Sequence, residues 1–158
     1  MITLDGGVGL YYEKGGDGSR IVLAPNGFHM QRDFQFLAGD ATVIFYDVRN
    51  RGRSDTVTEP GKLARGIEQD VDDLDAVRRY FGASQVDLIG HSYIGLMVAL
   101  YAIRYSAHVR RAVLIGPVQP DASKQYPPEL AYTDETFAKA MAGIAQLRSA
   151  PRGQERRA

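Results

Sequence analysis

Val86-Asp87-Leu88-Ile89-Gly90-His91-Ser92-Tyr93-Ile94-Gly95 is the stretch whose reading decides the fold. Residues 86–89 read as a buried strand, and residues 93–105, apolar nearly all round, read as a helix buried against a sheet. Gly90-His91-Ser92 must make the whole turn between them. A serine at so sharp a strand-to-helix turn projects its hydroxyl out of the sheet, at the positive end of the following helix. Gly90 leaves room for the tight backbone. The position two after the serine is normally small as well, but here it is Ile94, with Gly95 one place later. The strict G-x-S-x-G pattern is therefore broken, and Ile94 requires the helix to pack slightly away from the strand. Read locally, Ser92 is either a nucleophile or an ordinary helix-capping serine.

Outward from this segment the apolar pattern alternates between short and long runs. Strand-like runs cover residues 8–13, 21–24, 42–46, 86–89 and 112–115. The last four are mostly aliphatic or aromatic, as expected of strands covered on both faces. The first alternates and closes on Lys14-Gly15-Gly16-Asp17-Gly18, a turn signal suited to an antiparallel edge hairpin. Ile67, Val71, Leu74, Val77 and Phe81 recur at 4, 3, 3 and 4 residues, one face of a helix. Glu68, Asp70, Asp72, Asp73 and Asp75 crowd its first half and Arg78 and Arg79 its end, which complements the helix dipole. This charge run reads as a solvated helix face. Strands alternating with helices predict an α/β protein with a mostly parallel sheet flanked by helices.

Composition narrows the function classes. The 158 residues suit one domain with a substantial core, and 19 Lys+Arg balance 19 Asp+Glu. A neutral chain gives no electrostatic ground for a nucleic-acid or membrane partner, and no run is long enough to span a bilayer. Absent cysteine excludes disulfides, thiolate zinc sites and a cysteine nucleophile. The first residues lack a basic start and apolar stretch, so the expected location is cytoplasmic. Beyond Ile115, Gly116-Pro117, Pro120 and Pro127-Pro128 break the chain, and residues 134–148 read as a weakly amphipathic helix. Residues 148–158, with four arginines and one glutamate, read as a disordered tail of charge +3, leaving the remainder at −3.

Two further segments bear on chemistry. Ile21-Val22-Leu23-Ala24-Pro25-Asn26-Gly27-Phe28-His29 is a buried strand running into a Pro/Gly loop. Tyr46-Asp47-Val48-Arg49-Asn50-Arg51-Gly52-Arg53-Ser54-Asp55 follows the next strand. Its interleaved signs admit an anion-binding patch but favour internal Arg–Asp pairing.

Together with Gly90-His91-Ser92-Tyr93, these segments resemble the α/β-hydrolase superfamily, most closely its proline-iminopeptidase-like branch of serine hydrolases. The residues that carry the resemblance are Pro25-Asn26-Gly27-Phe28, Tyr46-Asp47, Arg51-Gly52-Arg53-Ser54-Asp55, and the 108–116 passage from helix to strand. It covers roughly residues 5–120, so it predicts the N-terminal part of the core over 1–120 and the start of a helical cap over 121–147. Where the family usually carries His-Gly, this chain has Asn26-Gly27. The resemblance implies a small ester, amide or peptide-like substrate and no metal or organic cofactor. It also implies that Ser92 is the nucleophile, with an oxyanion hole formed by the backbone N–H groups of Phe28 and Tyr93. Such donors supply roughly 3–4 kcal/mol to the transition state.

A serine hydroxyl needs a base to remove its proton. In this fold the order is serine, acid, histidine. After Ser92 the only histidine is His108, and no acid lies between them. The acids that follow, Asp121, Glu129, Asp134, Glu135 and Glu155, have no later histidine to orient. His91 adjoins the serine, His29 sits in the oxyanion loop, and His108 lies roughly 20 Å away along the helix. All three read as structural or solvated, so the sequence provides no triad acid or histidine. The alternative reading is a catalytically silent domain that binds or oligomerises through an uncovered sheet edge.

Overall fold

Residues 1–120 are described by the computed structural model, and the expected cap segment and tail lie outside them. Seven strands and four α-helices follow one another in this part of the chain. They are β1 (Ile2–Thr3), β2 (Gly9–Leu10), β3 (Tyr12–Gly15), β4 (Ile21–Pro25), α1 (Gly27–Phe34), β5 (Thr42–Tyr46), α2 (Pro60–Leu63), α3 (Ile67–Tyr80), β6 (Val86–His91), α4 (Tyr93–Arg104) and β7 (Val109–Ile115). β1 and β2 form a small antiparallel pair. The main sheet has the order β3-β5-β4-β6-β7, parallel except for β3.

The period-2 geometry of strands explains the mostly apolar runs. Leu23, Ile44 and Leu88 point to one face, where Val71, Leu74 and Val77 of α3 and Ile94, Met97, Val98 and Tyr101 of α4 cover them. Val22, Ala24, Val43, Phe45 and Ile89 point to the other, under Met30 and Phe34 of α1. With helices on both sides, every position of β5 is buried. Each such aliphatic side chain contributes about 1.5–3 kcal/mol by leaving water.

Several expectations need correcting. β7 is not covered on both faces: Val113 is 52% exposed, and Leu114 and Ile115 are exposed too, because β7 is an edge strand of the described sheet. β3 is the antiparallel edge foreseen, but its partner is β5 rather than the next strand, since β4 lies inside the sheet. α1 occupies residues read as a loop. α4 is apolar all round in sequence yet leaves Ile103 78% exposed, so only one side of it is core.

The largest correction concerns α3. Its charges are not a solvated face: Asp70, Asp73, Asp75 and Arg78 are buried. Burial is tolerable because each has partners. Arg49 holds Asp73 with two hydrogen bonds of 2.5 and 2.7 Å. Arg78 and the Tyr101 hydroxyl donate to Asp75 at 2.8 and 3.0 Å. Tyr93 donates its hydroxyl proton to Asp70 at 2.9 Å. These polar bonds sew α3 to α4 and to the loop after β5.

Candidate active site

β6 ends at His91 and α4 starts at Tyr93, which leaves Ser92 alone to reverse the chain. Its backbone adopts φ 55° and ψ −123°, a conformation that costs a non-glycine residue about 1–3 kcal/mol. Hydrogen bonds hold it there. Ser92 N–H donates to the Ile115 carbonyl at 3.0 Å, and Val118 N–H donates to the Ser92 carbonyl at 3.1 Å. The Ser92 side chain makes no capping hydrogen bond, so it does not serve as a helix cap.

Contrary to expectation, Ile94 does not hold the helix away from the strand. A methyl group on Gly90 would stand 2.6 Å from the Ile94 carbonyl oxygen and 2.9 Å from Gly95 Cα. The backbones therefore touch, while the Ile94 side chain turns away into the core at 1% exposure. Gly95 supplies the second close approach, since a methyl there would lie 2.9 Å from Pro117 Cβ.

Ser92 and Tyr93 line a cleft of about 630 Å³ at the carboxyl ends of β4 and β6, where open α/β sheets bind ligands. Its opposite side comes from the start of α1. Asn26 precedes that helix in a left-handed conformation, φ 65° and ψ 47°, and its carbonyl accepts the amides of His29 and Met30 at 2.9 and 3.2 Å. Phe28 is the second residue of α1, and a helix gives its first amides no acceptor of its own. The same holds for Tyr93 as first residue of α4. The sequence-predicted Phe28 and Tyr93 amides thus open two helices whose neighbouring residues border one cleft.

The histidines separate. His29 and His91 line the cleft. His108 does not; its Nδ1 lies 2.9 Å from the Ser84 carbonyl oxygen, next to β7. Met30, Phe34 and Ile115 give the cleft apolar wall, and Asp33 and Arg51 add charge. Sequence reading did not single out Arg51 as a site residue. Its guanidinium stacks 4.4 Å above the Tyr93 ring centroid. Beneath it, burial raises the Asp70 carboxyl above its ordinary range despite the Tyr93 hydrogen bond. Burial, together with the Asp70 charge, pushes the Tyr93 phenol up to about 12. Tyr93 therefore stays a protonated donor, anchoring the residue after Ser92 to α3.

Among the described residues no three metal-ligating side chains gather in a way that would hold an ion. No described helix is long and apolar enough to cross a membrane.

A profile of the alpha/beta hydrolase fold matches residues 23–158. A proline iminopeptidase of Thermoplasma volcanium is 38% identical over 76 residues, covering 48% of this chain and 25% of its own. A bifunctional esterase/perhydrolase of Acinetobacter calcoaceticus is 30% identical over 127 residues, covering 75% of this chain and 45% of its own. The crystal structure of an α/β hydrolase from Novosphingobium aromaticivorans superposes with a TM-score of 0.61 at 28% identity, over 70% of this chain and 40% of its own. The chain spans less than half the length of these curated relatives. With its parallel sheet and strand-to-helix turn at Ser92, the chain belongs to the α/β-hydrolase fold family.

Proposed function

We propose that Ser92 is the nucleophile of a serine hydrolase acting on a small ester, amide or peptide-like substrate. The observation that carries this reading is the strained Ser92 backbone at the edge of the cleft, maintained without any capping role for the side chain. Ser92 Oγ would add to the substrate carbonyl while the Phe28 and Tyr93 amides hold the resulting oxyanion. The leaving group departs with the serine proton, and water then releases the acid from the acyl-enzyme. The names of the relatives, an iminopeptidase and an esterase, support this substrate class. The chain has three histidines, and His108 is held at Ser84, so a histidine base of the chain's own is confined to His29 or His91.

A fluorophosphonate probe tests the reading. Covalent labelling of the wild-type chain that disappears in Ser92→Ala is the expected result; equal labelling of both, or of neither, overturns it.

β7 favours a second reading, self-association of the chain. Val113, Leu114 and Ile115 expose apolar side chains on a strand with one unpaired edge in the described sheet, a template for pairing with another copy. Analytical ultracentrifugation should show a concentration-dependent dimer, and a monomer at all concentrations would refute it.

A further inference from the structure

The loop after β5 presents three arginines at alternate positions, and two of them are internally paired. Arg49 grips Asp73. Arg53 donates from Nε to Asp47 at 3.0 Å and from Nη1 to Glu13 at 2.5 Å. Arg51 differs: among the described residues it forms no close ion pair and its enclosed Nη1 has no hydrogen-bond partner, its ties being to the Tyr93 side chain and, by charge attraction, to Asp70. Asn50 and Gly52, both at positive φ (61° and 57°), turn the loop on either side of it. The guanidinium is instead laid on the Tyr93 ring and borders the cleft that holds Ser92. The acids near it are Asp70, which accepts the Tyr93 hydroxyl and is also attracted by the Arg51 charge, and Asp33, exposed on α1 across the cleft.

A half-buried cation that shares one carboxylate, Asp70, with a tyrosine hydroxyl and forms no close ion pair among the described residues is stabilised further when a ligand brings an anion. We propose that Arg51 selects substrates bearing a carboxylate beyond the acyl carbon that Ser92 attacks. The apolar wall of Met30, Phe34 and Ile115 would hold the connecting chain. This deepens the serine-hydrolase reading and rests on it for the identity of the acyl group, but the anion preference itself is a property of binding alone.

The test is therefore run at equilibrium. Two ligands without a hydrolysable bond are titrated by ligand-observed NMR: 5-oxohexanoate, whose ketone replaces the acyl carbonyl, and 2-hexanone, which lacks the carboxylate. The wild-type chain should bind 5-oxohexanoate about tenfold more tightly, the order of one charge-assisted hydrogen bond. The preference should shrink between about 0.05 and about 0.5 M salt. In Arg51→Gln the two affinities should become equal; Arg51→Met, which keeps an aliphatic stem over Tyr93, replaces it if circular dichroism shows Arg51→Gln unfolded. Equal affinities in the wild type, or a preference that survives either variant, overturns the proposal. Preference without fluorophosphonate labelling would retain Arg51 and remove Ser92 as nucleophile, whereas labelling without preference would do the reverse.

Discussion

Adding one methyl group at Gly90 should disturb both the stability of the chain and the geometry at Ser92. The new Cβ would stand 2.6 Å from the Ile94 carbonyl oxygen, whereas carbon–oxygen contacts settle near 3.3 Å, so α4 must retreat by about 0.7 Å. Neither side can yield cheaply, because the colliding atoms belong to backbone. A gap of that size forfeits a quarter to a half of each dispersion contact it opens, and Ile94, Met97, Val98 and Tyr101 all pack on the retreating side. Overpacking of this kind costs about 1–3 kcal/mol, and backbone against backbone places Gly90→Ala at about 3. For a domain of this size that is a fall in Tm of about 10 °C. The same retreat carries the Tyr93 amide with it, and a misplacement approaching 1 Å costs about 100-fold in reaction rate. Thermal unfolding by circular dichroism and the rate of fluorophosphonate labelling measure the two effects. Gly61→Ala is the control, since nothing lies within 4 Å of a methyl there and α2 gains a better helix former. A Gly90→Ala chain melting within about 2 °C of wild type would refute the close-packing argument.

Arg49→Ala strips a buried carboxylate of its bidentate partner, so urea unfolding should show a loss of about 3–5 kcal/mol. Tyr93→Phe leaves Asp70 without its 2.9 Å hydrogen bond and should cost about 1–3 kcal/mol; Asp70→Asn in the same background should recover part of it. Acid should weaken the chain through Asp75. Burial alone would raise its carboxyl, but the hydrogen bonds from Arg78 and Tyr101 outweigh that and hold it below its ordinary value of 3.8. A lowered native pKa gives stability that is complete above the unfolded value and lost as pH falls through the native one. The wild-type advantage over Asp75→Asn, read from urea midpoints, should therefore be full at neutral pH and shrink below about pH 4.

What the sequence made legible was local. Strand 86–89, the turn at Ser92 and the helix after it announce themselves by predominantly apolar residues and one glycine, and the parallel sheet follows from their alternation. The buried acids of α3 were not legible, because their partners are remote: Arg49 is 24 residues from Asp73, Tyr93 is 23 from Asp70, and Tyr101 is 26 from Asp75. A charge run looks the same whether water or arginine faces it. Exposure of β7 escaped notice for a related reason, since an aliphatic strand carries no mark of its place in the sheet order. At the site, Ser92 and the Tyr93 amide lie on one contiguous segment and could be read together. Arg51 could not, because its neighbours Arg49 and Arg53 carry the same charge and only the fold shows which of the three forms no close ion pair among the described residues.

The inside position of β4 has a consequence during synthesis. One edge of β4 is closed by β5, whose last residue is Tyr46, but the other waits for β6, which ends at His91. About 45 residues must leave the ribosome between those two events, which at 5–20 residues per second takes roughly 2–9 s. For that interval the most apolar part of the nascent chain has an open hydrogen-bonding edge and an uncovered face. A chaperone that recognises extended apolar segments would find its target in residues 21–46 rather than at the reactive serine.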